Sequence, residues 1–72
     1  MDGNRWIPID EALPINSDDV MISVVNEDGY KDIEIGYYST AYGEWNFYNA
    51  YFSEPQAEAW MPIPEPYLSA NV

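Results

Sequence analysis

Adjacent carboxylates are the side chains of this sequence that could do chemistry, and they occur as Asp10-Glu11, Asp18-Asp19 and Glu27-Asp28. Paired carboxylates hydrolyse glycosidic bonds when a cleft holds one on each side of the sugar. The 72 residues contain no histidine, no cysteine and no glycine-rich phosphate loop that could complete a catalytic site. We therefore predict that these acids are solvated loop residues and that the protein is not an enzyme.

The segment Glu27-Asp28-Gly29 has the composition of a calcium-binding loop. The alternating acidic ligands and the closing glutamate of an EF-hand are absent around it, so a hairpin turn is the favoured interpretation. Zinc sites built on thiolate or imidazole ligands are excluded because the chain has neither residue type. The sequence predicts no metal and no cofactor.

The charge balance is the most informative feature of the composition. Thirteen acidic residues face two basic ones, Arg5 and Lys31, which gives a net charge of -11 at pH 7. Proteins that bind nucleic acid or anionic membranes directly need lysine and arginine, so the sequence excludes both classes. The charge exceeds the magnitude of about 2–8 that suits a small domain, and its self-repulsion destabilises the compact state. The acidity either keeps the protein soluble or matches a basic groove of a partner.

β-Strands are the elements predicted to position these acids. A β-branched run covers residues 20–25 and a second strand covers residues 30–38. The intervening Asn26-Glu27-Asp28-Gly29 predicts a hairpin, because Asp28-Gly29 suits a tight turn whose central residues need positive φ. A turn at 39–43 precedes a third, aromatic strand at 44–51.

Alternation along the second strand predicts which side chains face a partner. Ile33 and Ile35 are expected in the core, with Asp32 and Glu34 on the solvent face. Side chains at i and i+2 of a strand lie about 6.6–6.8 Å apart. Phosphates advance about 3.4 Å per nucleotide along one DNA strand, so a row of strand carboxylates could imitate a row of phosphates.

Aromatic residues make up eight of the sixteen positions from Tyr37 to Phe52. A small single sheet has one core face, which predicts that some of them cover an end, meet a second subunit or face a partner. Trp45 and Phe47 are the expected core members. The expected partner-facing tyrosines are Tyr38, Tyr42 and Tyr48.

The two ends of the chain carry related motifs, Trp6-Ile7-Pro8-Ile9 and Trp60-Met61-Pro62-Ile63-Pro64. Because proline fixes φ and donates no hydrogen bond, neither stretch is expected to be a helix or a central strand. Residues 9–14 predict one short helical turn that ends at Pro14. For residues 53–59 a brief helix and a final strand that ends at Trp60 both remain open.

Three segments together resemble the signatures of a small family of phage and prophage proteins, domain of unknown function 551. They are Trp6 to Pro14, Gly43-Glu44-Trp45, and Trp60 to Pro66. The family usually carries a histidine before the closing tryptophan, where this sequence has Ala59, so no role of that histidine is carried over. The resemblance implies a small β-rich module in a phage setting and favours a strand over residues 53–59. It implies no activity.

These observations predict one domain over residues 1–72 with a frayed tail at 67–72. Its fold class is mainly β: a small antiparallel sheet of three to four strands with short helical turns and proline-rich flanks, an α+β arrangement being the alternative. The polar N-terminus predicts neither a signal peptide nor a membrane span, and hence a location in the host cytoplasm.

The predicted function is a non-catalytic, acidic, anti-CRISPR-like inhibitor. It would bind a basic nucleic-acid-handling host protein, such as a CRISPR effector subunit, by nucleic-acid mimicry. A self-associating structural or adaptor module, with a homodimer as one form, is the alternative. A weak small-ligand binder that stacks its ligand on tyrosines is a third hypothesis. The predicted partner-binding residues are Glu27, Asp28, Asp32, Glu34, Tyr38, Tyr42, Glu44 and Tyr48.

Overall fold

The protein forms a single antiparallel sheet of five strands in the computed structural model, which describes residues 5–49 and 54–64. The strands lie in the spatial order β1-β5-β2-β3-β4, and the described residues contain no helix. Their bounds are β1 (Ile7–Pro8), β2 (Val20–Val25), β3 (Lys31–Ser39), β4 (Glu44–Phe47) and β5 (Gln56–Pro62). The predicted mainly-β fold is confirmed, with one strand more than expected because the N-terminal flank adds the two-residue β1.

The predicted hairpin is formed by β2 and β3, but its turn differs from the predicted one. Among the described residues no side-chain-bearing residue has positive φ, so Asp28 does not share the left-handed conformation of Gly29, whose φ is 91°. Instead, the N–H of Gly29 donates to the carbonyl oxygen of Asn26 at 3.0 Å. The side chain of Asn26 accepts from the N–H groups of Asp28 and Tyr30, which stabilises the longer loop.

The core lies on the face of the sheet that carries Val20, Ile22 and Val24 of β2, which we call the core face. These three side chains are buried, and the residues packed against them are Trp45, Phe47, Ala57 and Trp60. The expectation that Trp45 and Phe47 belong to the core is therefore confirmed. The opposite face, which carries Ser23, Ile33 and Ile35, we call the open face.

The predicted orientation of β3 is wrong. Ile33 and Ile35 are 55% and 41% exposed, whereas Glu34 is 6% exposed. The register explains this inversion, since Glu34 lies opposite Ile22 on the core face and Ile33 lies opposite Ser23. Residues directly opposite each other in an antiparallel pair share a face, so the aromatic packing that selects the core face also places Glu34 there.

The β3–β4 hairpin turns at Gly43, whose φ is 70° and whose N–H donates to the carbonyl oxygen of Ser39 at 2.7 Å. Regular pairing in β4 ends at Phe47, before the end of the predicted strand over 44–51. One further hydrogen bond follows, from the N–H of Tyr48 to the carbonyl oxygen of Ile35. Residues 50–53 lie outside the described part.

The C-terminal motif is a strand, as the family resemblance favoured, but it is not a flank. β5 lies between β1 and β2 and continues past Trp60 to Pro62. The prediction that this stretch avoids a central strand is wrong, because β5 has a strand on each side. Pro62 is tolerated there because β1 pairs only with Ala59 and Trp60 and leaves Pro62 without a neighbour on that side. The N-terminal flank does lie at the sheet edge, where its Pro8 is tolerated.

The segment between β1 and β2 crosses the core face. It begins with one turn in which the N–H groups of Glu11 and Ala12 donate to the carbonyl oxygen of Pro8, as predicted for residues 9–14. The indole Nε1–H of Trp60 donates to the carbonyl oxygen of Ala12 at 2.9 Å, and Pro14 is buried. The segment therefore covers the end of the core beside Trp60. The predicted frayed tail at 67–72 lies outside the described residues.

Candidate functional site

Three of the predicted partner-binding acids lie together at one end of the sheet. Glu27 and Asp28 are in the β2–β3 turn, Asp32 is the second residue of β3, and all three are exposed. The N–H of Asp28 donates to Asn26 Oδ1 at 2.9 Å, and Asp32 Oδ1 accepts from the N–H of Ile33 at 2.8 Å. We call Glu27, Asp28 and Asp32 the hairpin-end acids; their backbone is held by local hydrogen bonds while their carboxylates face solvent.

Glu34 does not join them. Its side chain is on the core face opposite Ile22, so it is shielded from any partner that contacts the surface. Of the row predicted to imitate phosphates, only Asp32 is exposed.

Tyr38, Tyr42 and Glu44 lie at the other end of the sheet, around the β3–β4 turn. The ring of Tyr38 is half-buried and lies 5.0 Å from the ring of Trp45, a distance typical of a favourable aromatic pair. Tyr42 and Glu44 are exposed. Tyr38 thus contributes to packing, and Tyr42 and Glu44 offer a surface.

The eight predicted residues do not form one patch. The two groups are separated by the length of β3, whose nine residues from Lys31 to Ser39 span about 27 Å at a rise of about 3.4 Å. The hairpin-end acids occupy one end, and Tyr42 and Glu44 occupy the other. A partner that contacts both groups must follow the sheet along its length.

Tyr48 lies on the open face and is hydrogen-bonded to Asp19, an acid that is not among the predicted site residues. Its hydroxyl donates to Asp19 Oδ1 at 2.6 Å, and its ring lies 5.7 Å from that of Tyr37. This hydrogen bond is the main cause of a pKa of Tyr48 above the usual tyrosine value, with smaller contributions from desolvation and the charge of Asp19. The two residues are 29 positions apart, so no local pattern could have paired them.

Both cations of the chain are bound to its own acids. Arg5 lies 3.2 Å from Glu11, and Lys31 Nζ lies 3.2 Å from Glu58 Oε2, which also accepts a hydrogen bond from Ser23 Oγ at 3.1 Å. Exposed ion pairs of this kind contribute about 0–1 kcal/mol each to stability. With both cations engaged in these pairs, the exposed carboxylates greatly outnumber the positive charges of the chain.

The open face carries apolar side chains in contact with water. Ile33 and Ile35 are exposed on β3, and Tyr48, whose N–H donates to the carbonyl oxygen of Ile35, is exposed beside Ile35. Antiparallel sheets often leave one face solvated, but that face is then usually polar. An apolar face of this kind is typical of a surface that meets another molecule.

A cleft of about 360 Å³ opens at the end of the core face that lies opposite the hairpin-end acids. The β1–β2 segment forms one side and the end of β5 forms the other. The residues that line it include Pro14, Ile15, Asp18, Asp19, Trp60 and Ile63. The sequence predicts Asp18 and Asp19 as solvated loop acids, and only the tertiary structure brings Asp18 and Trp60 to one cleft.

Within residues 5–49 and 54–64, no three acidic side chains converge in a way that could hold a metal ion. The same part of the chain has no helix long and apolar enough to cross a membrane.

No curated protein and no solved structure shows significant similarity to this chain. A family model described as a protein of unknown function, DUF551, matches residues 5–67. The match spans most of the chain and covers all five strands, including the three segments whose motifs resemble that family. The chain therefore belongs to the DUF551 family of proteins of unknown function.

Proposed function

We propose that this domain is a non-catalytic module that binds a basic protein surface, with the hairpin-end acids as its first point of contact. The observation that carries the proposal is the pairing of Arg5 with Glu11 and of Lys31 with Glu58, which leaves a large excess of exposed carboxylates. A surface with this excess attracts a positively charged partner over about one Debye length, about 8–10 Å at physiological salt.

The geometry of the hairpin end suits contact with a recessed basic groove. Glu27 and Asp28 stand at the tip of a turn, so they can enter a groove without the rest of the sheet. The turn is ordered before binding by the hydrogen bonds of Asn26, which lowers the entropy lost on association.

A groove evolved for nucleic acid is the partner surface that best fits this charge. The specific form that we propose is an anti-CRISPR-type inhibitor carried by a phage, which would occupy such a groove on a CRISPR effector subunit in the host cytoplasm. Mimicry would rest on the hairpin-end acids and not on the Asp32–Glu34 row, because Glu34 is buried.

A second candidate function, a self-associating module, is favoured by a different observation. Ile33, Ile35 and Tyr48 expose apolar surface on the open face. Two copies could bury these side chains against each other, at the cost of repulsion between two chains of net charge -11.

The test is capture of host proteins on the tagged full chain, with washes at rising salt, followed by affinity measurements on the purified captured protein. The key variant carries Glu27→Gln, Asp28→Asn and Asp32→Asn; the amide oxygen introduced at position 32 can still accept the hydrogen bond from Ile33. We expect a basic nucleic-acid-binding protein that is displaced by duplex DNA, and an affinity at least about tenfold lower for the variant, since three charges are lost at the contact.

The matched control carries Asp10→Asn, Glu54→Gln and Glu65→Gln, which removes the same charge without changing any of the eight predicted partner-binding residues. Equal losses in the two triple variants would reduce the effect to net charge and contradict the hairpin-end site. Recovery of salt-resistant copies of the chain alone would contradict the proposal and favour self-association.

A further inference from the structure

The outer edge of β3 extends beyond the strand that covers it. β3 pairs with β2 over residues 31–36, whereas β4 pairs with β3 only over residues 36–39. Beyond that ladder, the N–H of Tyr48 donates to the carbonyl oxygen of Ile35. Among the residues that the structure describes, no strand pairs with residues 31–33 on the side away from β2.

The hydrogen-bond pattern determines which backbone groups point outward along this stretch. The N–H of Asn26 donates to the carbonyl oxygen of Tyr30, so these two residues form a hydrogen-bonded pair. Pairs with and without hydrogen bonds alternate along an antiparallel ladder, and Asp32 therefore belongs to the next hydrogen-bonded pair with β2. The N–H and C=O groups of Lys31 and Ile33 consequently point away from β2.

This edge is accessible to another molecule. The N–H of Ile33 donates to Asp32 Oδ1 at 2.8 Å, a contact with its own neighbour in sequence and not with a strand. Lys31, Asp32 and Ile33 are all exposed. An exposed edge with outward-pointing N–H and C=O groups is a template to which an extended segment of another molecule can add as a further strand.

The side chains along the edge indicate the chemistry of that segment. Ile33 and Ile35 are 55% and 41% exposed on the open face. Successive side chains of a strand point to opposite faces, so Asp32 points to the other face, at the end of the sheet that carries Glu27 and Asp28. An added strand would therefore have apolar neighbours on one of its faces and carboxylates on the other.

We propose that the outer edge of β3 binds an extended segment of the basic partner in which basic and aliphatic residues alternate. The segment would pair antiparallel with residues 31–33, as all strand pairs of the sheet do, with aliphatic side chains beside Ile33 and basic ones beside Asp32. The N–H of Ile33 would then donate to the backbone of the segment, which releases the Asp32 carboxylate to bind a cation.

A second copy of the chain fits this edge less well, because it would bring a further charge of -11 to an acidic surface. The inference rests on the proposed function for the charge of the partner. It adds to that function the conformation of the bound segment and the strand that binds it.

The test is an NMR titration of the full ¹⁵N-labelled chain with the peptide acetyl-Arg-Val-Arg-Val-Arg-amide. Two N-methylated forms of equal mass and charge serve as matched controls. One carries methyl groups on both valine nitrogens, which would face β3, and the other carries them on the nitrogens of the second and third arginines, which would face away from β3.

We expect saturating peptide to slow hydrogen exchange of the Lys31 and Ile33 amides at least about fivefold, because both would donate to the added strand. The valine-methylated form should bind at least about fivefold more weakly than the arginine-methylated form, since it loses two hydrogen bonds to β3.

Two charge-matched protein variants locate the contact. Asp32→Asn should weaken binding of the unmodified peptide at least about threefold, because it removes the carboxylate beside the arginines. The amide oxygen introduced at position 32 can still accept from the N–H of Ile33. Asp10→Asn, which follows β1 three strands away, should change the affinity less than about 1.5-fold.

Equal affinities of the two methylated peptides, or unchanged exchange of the Lys31 and Ile33 amides at saturation, would overturn this edge as a strand-addition site and leave the proposed function standing. Protection of these amides that rises with protein concentration in the absence of peptide would overturn it in favour of a second copy. Backbone-dependent binding of the peptide together with no capture of a basic host protein would support the edge and contradict the proposed function.

Discussion

Shortening either Ile22 or Ile33 by one methylene tests which face of the sheet is buried. Burying a methylene contributes about 0.8 kcal/mol. Ile22 is fully buried, so Ile22→Val should cost that amount plus a cavity term, within the usual range of about 0.5–1.5 kcal/mol. Ile33 is 55% exposed, so Ile33→Val should cost at most about 0.4 kcal/mol.

These losses are measurable against the total stability. At about 0.05–0.15 kcal/mol per residue, a chain of 72 residues has a free energy of unfolding of about 4–11 kcal/mol. With a urea m-value near 1 kcal/mol/M, Ile22→Val should lower the unfolding midpoint by about 0.5–1.5 M, and Ile33→Val by about 0.4 M or less. Both variants keep a β-branched residue, so strand propensity is matched.

The assay is urea unfolding followed by tryptophan fluorescence and by far-ultraviolet circular dichroism, whose transitions should coincide. A midpoint shift for Ile33→Val as large as that for Ile22→Val would refute the assignment of faces. So would an Ile22→Val protein as stable as the unmodified chain. Either result would indicate that Ile33 belongs to the core and Glu34 to the surface.

Two further predictions concern the strand pair β3–β4 and the tyrosine on the open face. A Cβ at Gly36 would overlap the carbonyl oxygen of Asn46 and lie 3.1 Å from Ile22 Cδ1. Gly36→Ala should therefore destabilise the fold by at least about 1–3 kcal/mol in the same urea assay. Unchanged stability would contradict this close approach. The pKa of Tyr48 is raised by its hydrogen bond to Asp19, so the stability that it contributes is present below the ordinary tyrosine pKa and lost as pH rises through the folded value. An NMR titration of the Tyr48 ring should therefore show a lower pKa in Asp19→Ala than in the unmodified chain, and equal values would refute the bond.

The strands could be predicted from local residue types. The β-branched run of β2 and the turn residues Asn26 to Gly29 indicate a hairpin, because both features act over a few neighbouring residues. The family motifs favoured a strand at β5, where residues 53–59 by themselves also allowed a brief helix. The position of β5 inside the sheet could not be predicted, since its proline is tolerated only because β1 is two residues long.

The candidate sites depended more strongly on tertiary structure. Proximity along the chain correctly grouped the hairpin-end acids Glu27, Asp28 and Asp32. The contact of Tyr48 with Asp19, and the cleft lined by Asp18 and Trp60, join positions that only the folded sheet makes neighbours.

The sequence by itself determined the charge, the absence of histidine and cysteine, and the tendency to form antiparallel strands, because these follow from composition and local patterning. Only the tertiary structure decided which face of the sheet is buried. In β2 both faces are apolar, so alternation there favours neither, and the alternation of β3 pointed the wrong way. The aromatic side chains of β4 and β5 determine which face is buried, because they pack against Val20, Ile22 and Val24. Glu34 lies opposite Ile22 and is therefore buried with them. The apolar area buried against one face outweighs the pattern of a single strand.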